Sequence, residues 1–200
     1  LNTPTNGGAS VKQAKTLTPE ELQHVLDALT RKPHALRNRA LLLMTHLAGL
    51  RVGDLAALRW ADAVDTRLQV RSEIRLSAAQ TKGRAPRTVY VSPKLQTELQ
   101  AYVNTIGERP ALWALFYTQK HPQRGFTANT LTQHFRCMYR NAGIEGASSH
   151  SGRRTFATQL SSKGAPIRVL MRLMGHQHIS TTIGYVDAND DMLRQAVTLA

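Results

Sequence analysis

Apolar residues along this chain follow helical spacing, then strand alternation, then helical spacing again, and that order limits the fold more than any other feature. From Leu68 the stretches LQVRSEIRLSAAQ and RTVYVSP alternate, with Val70, Ile74, Val89 and Val91 as inward candidates, and KGRAP carries the turn residues between them. Before this segment, LTPEELQHVLDAL carries a full helix start. Thr18 suits the cap, Pro19 the first helical position, Glu21 the capping box, and Leu17 can staple to Leu22. A second helix follows KPHALRNR, with Leu41, Met44, Leu47 and Ala48 at helical spacing, and stops near Gly49; a short one spans 52–58. After Pro93 the spacing predicts helices over PKLQTELQAYVNT, 127–141, 150–162, 166–174 and 190–199, with Gly143, Gly164 and Gly175 as stops. The expected fold is mainly α with a small three-stranded antiparallel β-sheet.

A chain of 200 residues with 42% hydrophobic content can bury one core. Residues 17–200 read as a single domain, and 1–16, LNTPTNGGASVKQAKT, as a flexible linker or N-terminal extension. What lies before Leu1 is left open. The longest apolar run, ALLLMTHLAGL, falls far short of the ~20 residues of a membrane helix, so no membrane partner is expected. Cys137 is the single cysteine, which excludes an internal disulfide and a Cys-based zinc cluster and fits a reducing cytoplasm. Lysine and arginine number 26 against 13 acidic residues, a net charge of +13 spread among apolar residues, which describes a folded basic face. Nucleic acid is the first partner this implies.

Several residues then form a set with chemical meaning. Arg51 follows an apolar helix and a Gly-Leu pair, where a guanidinium with a buried stem calls for an anion, and Asp54 stands close enough in sequence to orient it. His150 and Arg153 share a helix face in SSHSGRRTFATQL, and Lys82 sits in the turn between strands. Each also has an ordinary reading, a solvated surface histidine or a hairpin lysine. Together they match phosphodiester chemistry. Paired guanidiniums bind the non-bridging oxygens of a five-coordinate phosphorus in forked geometry. A tyrosine, with a pKa of about 10, is only ~0.1% phenolate near neutrality and needs help to attack. His150 is the candidate base, Lys82 the candidate acid for a leaving oxygen, and Tyr185 the candidate nucleophile.

These stretches resemble the tyrosine recombinases, or phage-type integrases. GLRVGDLAALRW is similar to the family's first arginine box, TKGRAPRTVYVSP to its catalytic-lysine hairpin, HSGRRTFAT to its His-x-x-Arg box, and LMGHQHISTTIGY to its closing box, in which a Gly-His precedes the tyrosine. The resemblance covers residues 17–199 with all six positions in order. It implies a catalytic set of Arg51, Lys82, His150, Arg153, His176 and Tyr185, with Asp54 behind it, working as a site-specific recombinase through a 3′-phosphotyrosine. His176 would hydrogen-bond a non-bridging oxygen. No metal or other cofactor is called for, and with no cysteine nearby His176 and His178 make a poor zinc pair. The implied partners are double-stranded DNA and, on synapsed DNA, a homotetramer; the implied location is the cytoplasm, at the nucleoid.

Three departures stand out: glycine at 152 where leucine is common, Asp54 where glutamate is frequent, and no N-terminal core-binding domain within these residues. Arg84, Arg87, Arg124, Arg136 and Arg140 are expected to touch the DNA backbone. Met192, Leu193, Val197 and Leu199 form an apolar strip that docks either on its own domain or on a neighbouring protomer. Two other functions fit the same residues: an architectural DNA-binding protein of this fold without activity, and a type IB topoisomerase-like enzyme.

Overall fold

In the computed structural model, which describes residues 13–81, 83–119, 121–185, 193–194 and 197–198, Thr18 opens the first helix as its sequence predicts. The Thr18 hydroxyl accepts from the Glu21 N–H and the Glu21 carboxylate accepts from the Thr18 N–H, closing the capping box at the head of α1 (Pro19–Thr30). Helix α2 (Ala35–Ala48) runs through the middle of the core, with Ala40 to Met44 buried, and ends at Gly49. Gly49 has φ of 61°, and a Cβ there would lie 2.5 Å from the Phe156 ring, so both conformation and space require glycine. Short helices α3 (Val52–Ala57) and α4 (Trp60–Ala63) follow.

Strands β1 (Glu73–Leu76) and β2 (Arg87–Tyr90) pair antiparallel, Ile74 facing Val89 and Leu76 facing Arg87, with Ile74, Leu76 and Val89 buried. Helix α5 (Pro93–Ile106) leads to a second hairpin, β3 (Tyr117–Thr118) and β4 (His121–Gly125), and then to α6 (Ala128–Asn141), α7 (Ser151–Ser162), α8 (Ile167–Met174) and α9 (Ile179–Ile183). The helix boundaries follow the sequence closely. The sheet does not: the described residues contain two two-stranded ladders and no three-stranded sheet. Val70 makes only an isolated bridge to Val64, because α5 supplies the partners a further strand would have given. Gln100 Oε1 accepts from the Val70 N–H at 2.9 Å, and Gln96 Nε2 donates to the Val70 carbonyl at 2.5 Å. The expected helix over 190–199 falls largely outside the described residues; Leu193 and Val197, which are described, are exposed, while Met192 and Leu199 lie outside.

Helix α7 lies against α2 so closely that a Cβ at Gly152 would overlap the Thr45 hydroxyl and come within 2.6 Å of His46 Nδ1. The glycine found where leucine was expected is thereby explained: on this chain Thr45 and His46 occupy the leucine's space. His46 is fully buried, Nδ1 donating to the Leu42 carbonyl at 3.0 Å, and burial holds its pKa down to about 4. Above the unfolded value of about 6.5 the ring is neutral in both states and the stabilisation is complete; as the pH falls toward 4 the unfolded chain takes up a proton the folded one refuses. Denaturant titrations are expected to lose on the order of 3 kcal/mol between pH 7 and 4 through this one ring, and His46→Leu should flatten the slope by one proton's worth.

Candidate active site

Three chain turns meet around one guanidinium. Arg153, on the first turn of α7, is 1% exposed. Its Nη1 donates to the carbonyl of Gly49, which closes α2, and its Nη2 to the carbonyl of Met174, at the end of α8. The same Nη2 lies 2.8 Å from His176 Nε2. Gly175 turns the chain between Met174 and His176 with φ of 60°, and its carbonyl accepts from Arg51 Nη2 at 3.3 Å. Arg51 stands at the N-cap of α3, immediately beyond the Gly49-Leu50 pair. The two arginines are therefore tied to the same pair of turns, one from each side.

Tyr185 follows α9. Its N–H donates to the Thr182 carbonyl at 2.9 Å, its own carbonyl accepts from Thr158 on α7, and its ring lies 5.4 Å from that of His176 at a 42° tilt. His176 is 7% exposed, and its Nδ1 meets Thr182 Oγ1 at 2.9 Å. Arg51, Arg153, His176 and Tyr185, which lie far apart in sequence, are brought together.

The other expected residues divide. Lys82 lies outside the described residues; its neighbours Thr81 and Gly83 line the same cleft as Arg51 and His176, and the Gly83 carbonyl accepts from Gln177. His150 stands at the N-cap of α7, exposed, with its N–H bonded to the Ser148 hydroxyl. His178 is exposed at the N-cap of α9. Arg84, with φ of 49°, Arg124 on β4, and Arg136 and Arg140 on α6 are all exposed.

The expected pairing of Asp54 with Arg51 requires correction. Asp54 is fully buried, but its carboxylate accepts from Arg87 Nη2 at 2.5 Å, so it holds Arg87 where Arg51 was expected. The Arg87 side chain is 8% exposed, its Nη1 donates to the Leu173 carbonyl at 3.1 Å, and it lines the cleft beside Arg51 instead of standing on the open surface. Its stem passes over Gly175, where a Cβ would lie 2.7 Å from Arg87 Cδ, which is a second reason for glycine there. One signal in the sequence points this way. Arg87 shares a strand face with the buried Val89 and pairs with the buried Leu76, so strand periodicity turns it inward. Removing one partner of a buried ion pair leaves the other charge uncompensated. Asp54→Asn is expected to cost about 3 kcal/mol in urea unfolding, and Asp54→Leu combined with Arg87→Met to recover most of it.

The electrostatics follow from this crowding. Arg51, Arg87 and Arg153 share a neighbourhood with one carboxylate, Asp54. Burial pushes the Arg153 pKa down to about 9, helped by Arg51 and Arg87, while Tyr185 and Asp54 pull it up; the guanidinium stays charged at neutral pH. Burial, and then Arg153, Arg51 and Arg87, lower His176 to about 4, which keeps the ring neutral. Beside them opens a cleft of about 750 Å³ lined by Arg51, Arg75, Arg87, Arg172 and His176 among others. Forked cationic donors beside a neutral imidazole, with the Tyr185 ring packed on that imidazole, have the chemistry to take up a tetrahedral phosphate diester.

The family described as the phage integrase family matches residues 15–192. Transposase A from transposon Tn554 of Staphylococcus aureus is 28% identical over 190 residues, which cover 92% of this chain and 51% of the transposase. Tyrosine recombinase XerD of Lacticaseibacillus casei is 30% identical over 200 residues, with 88% of this chain and 63% of the relative covered. The chain thus spans about half to three fifths of the length of these curated relatives. Among solved structures, XerA recombinase superposes with a TM-score of 0.74 at 26% identity, covering 92% of this chain and 64% of that one. The Tn1549 transposon integrase, solved in complex with transposon right end DNA, gives 0.70 at 20% identity over 97% of this chain and 68% of its own, a likeness of fold.

Proposed function

Since the chain belongs to the phage integrase family, the tyrosine recombinases, we propose that residues 17–200 are the catalytic domain of a site-specific DNA recombinase, with 1–16 as the linker leading into it. The observation that carries this reading is the meeting of Arg51, Arg153 and His176 beside the Tyr185 ring at a basic cleft. Double-stranded DNA enters that cleft, drawn by the excess of positive charge. Arg51 and Arg153 hold the non-bridging oxygens of the scissile phosphate, and His176 adds a hydrogen bond to one of them. The Tyr185 oxygen attacks phosphorus while its proton passes to His150. The bond from phosphorus to the 5′-oxygen breaks, and Lys82 gives that oxygen a proton. The products are a 3′-phosphotyrosine and a free 5′-hydroxyl; a 5′-hydroxyl from a partner strand reverses the step. Because the phosphodiester energy stays in the covalent bond, the cycle runs without ATP, and the cationic side chains do the work that a metal ion does elsewhere.

On synapsed DNA the protein works as a homotetramer in the cytoplasm, at chromosomal DNA. Apolar side chains left in the open support a partner surface: Val169 on α8, Ile179 and Ile183 on α9, and Leu193 and Val197 beyond them. Among the described residues no helix is long and apolar enough to cross a membrane.

The test is a suicide-substrate trap. Nicked duplexes tiling the DNA around the encoding gene are incubated with the protein and resolved under denaturing conditions. A covalent adduct on a defined subset of duplexes is expected. Adducts on every duplex, with relaxation of unrelated plasmids, would assign a topoisomerase instead; tight binding without adduct would assign an architectural role.

A further inference from the structure

His176 meets a side chain at each ring nitrogen, and the chemistry of those two neighbours fixes where its proton sits. A guanidinium has donors only, so at 2.8 Å from Arg153 Nη2 the Nε2 atom of His176 must accept. A neutral imidazole carries one N–H, which is then on Nδ1, donating to Thr182 Oγ1 at 2.9 Å. Thr182 is fully buried and His176 nearly so. The unliganded ring is therefore in the tautomer opposite to the one its proposed task needs. Nε2 is the nitrogen on the Arg153 side, facing the clamp, and to donate to a phosphoryl oxygen it must carry the proton while Nδ1 presents a lone pair.

We propose that Thr182 is a positioning residue whose hydroxyl accepts from His176 Nδ1 in the unliganded protein and donates to it once phosphate replaces His176 as the partner of Arg153. The inference rests on the role proposed above for His176. A hydroxyl is suited to the exchange because it is donor and acceptor at one atom and needs only rotation about its C–O bond. The ring is neutral before and after: the change of tautomer takes one proton off Nδ1 and puts one on Nε2, so its net charge does not change. Valine, of the same shape, holds neither tautomer, whereas serine holds both.

Two measurements test this on the protein as it stands. Long-range proton–nitrogen correlation spectra of the unliganded wild-type protein, labelled at histidine, are expected to show His176 protonated at Nδ1; protonation at Nε2 would overturn the proposal. Single-turnover adduct formation at saturating nicked duplex is expected to fall about 100-fold in Thr182→Val and to stay within about threefold in Thr182→Ser, with duplex affinity unchanged in both, which is the scale for losing one oriented donor. Wild-type rates in Thr182→Val, or equal loss in Thr182→Ser, would overturn it. Absence of adduct with the wild-type protein refutes the proposed function instead, and the spectrum of the unliganded ring still decides whether Thr182 holds the tautomer assigned to it.

Discussion

Arg153→Gln is expected to lower single-turnover strand cleavage by at least about 1000-fold while leaving most of the affinity for duplex DNA in place. The two quantities separate because they draw on different charges. On the proposed reading, affinity would come mainly from exposed lysines and arginines able to neutralise phosphates; Arg84, Arg124, Arg136 and Arg140 are among the exposed ones. Cleavage depends on charge that develops on two phosphoryl oxygens only as the fifth bond forms, and a guanidinium already held in place answers it without reorganisation. Arg153 is so held: two buried carbonyls and the His176 ring fix its orientation before DNA arrives. The same contacts make the substitution structural as well. Glutamine reaches fewer of those acceptors, and each one left unpaired in the interior costs about 1–3 kcal/mol. Arg153→Lys separates the two effects, since it keeps the charge and loses the fork. Melting temperature and duplex affinity measured beside the rate show how much of the loss is catalytic.

The second large effect is at Tyr185. Tyr185→Phe removes one oxygen and keeps the ring that packs beside His176, so folding and DNA binding are expected to remain at wild-type levels. Adduct formation should fall below detection, because the hydroxyl proposed to attack phosphorus is gone. Histidine or serine substitutions are less informative, since they alter the packing and introduce other nucleophiles. In the Tyr185→Phe protein the arginine clamp remains complete, and binding to the duplex should keep the steep salt dependence of the wild type.

Much of this site was legible in the sequence, and what was not has identifiable causes. Arg51, Arg153, His176 and Tyr185 stand in short motifs with a glycine nearby, and the resemblance of those motifs to the tyrosine recombinases is what singled them out as one set. The structure adds why Gly49 and Gly175 are there: each closes a helix with positive φ, and each leaves room for a side chain from elsewhere, Phe156 at the first and Arg87 at the second. The inward turn of Arg87 was not foreseen because charge alone does not say which way a strand residue faces; its register opposite Leu76 does, and that depends on pairing across the hairpin. Asp54 was assigned to the wrong arginine for the same reason, its partner being 33 positions away in sequence. Thr182 gave no signal at all, since a threonine on a short helix is ordinary until its hydroxyl is found against a buried ring nitrogen.

The sheet was the larger misreading of the fold. Alternation around Val70 reads as a strand, yet two glutamines on α5 take its backbone groups, and side chains that replace a ladder leave no periodic mark. The second hairpin was missed because TQKHPQRG, with a proline and no apolar alternation, lacks the periodic mark of a strand. Neither error touches the site, whose parts hang from α2, α3, α7, α8, α9 and the hairpin of β1 and β2.

All of this converges on one covalent bond. Wild-type protein trapped on a nicked duplex, digested with trypsin and sequenced by mass spectrometry, is expected to yield a single peptide with the DNA phosphate on the Tyr185 oxygen. Phosphate on a different residue, or no covalent peptide from a duplex that the protein demonstrably binds and cuts, would contradict the account.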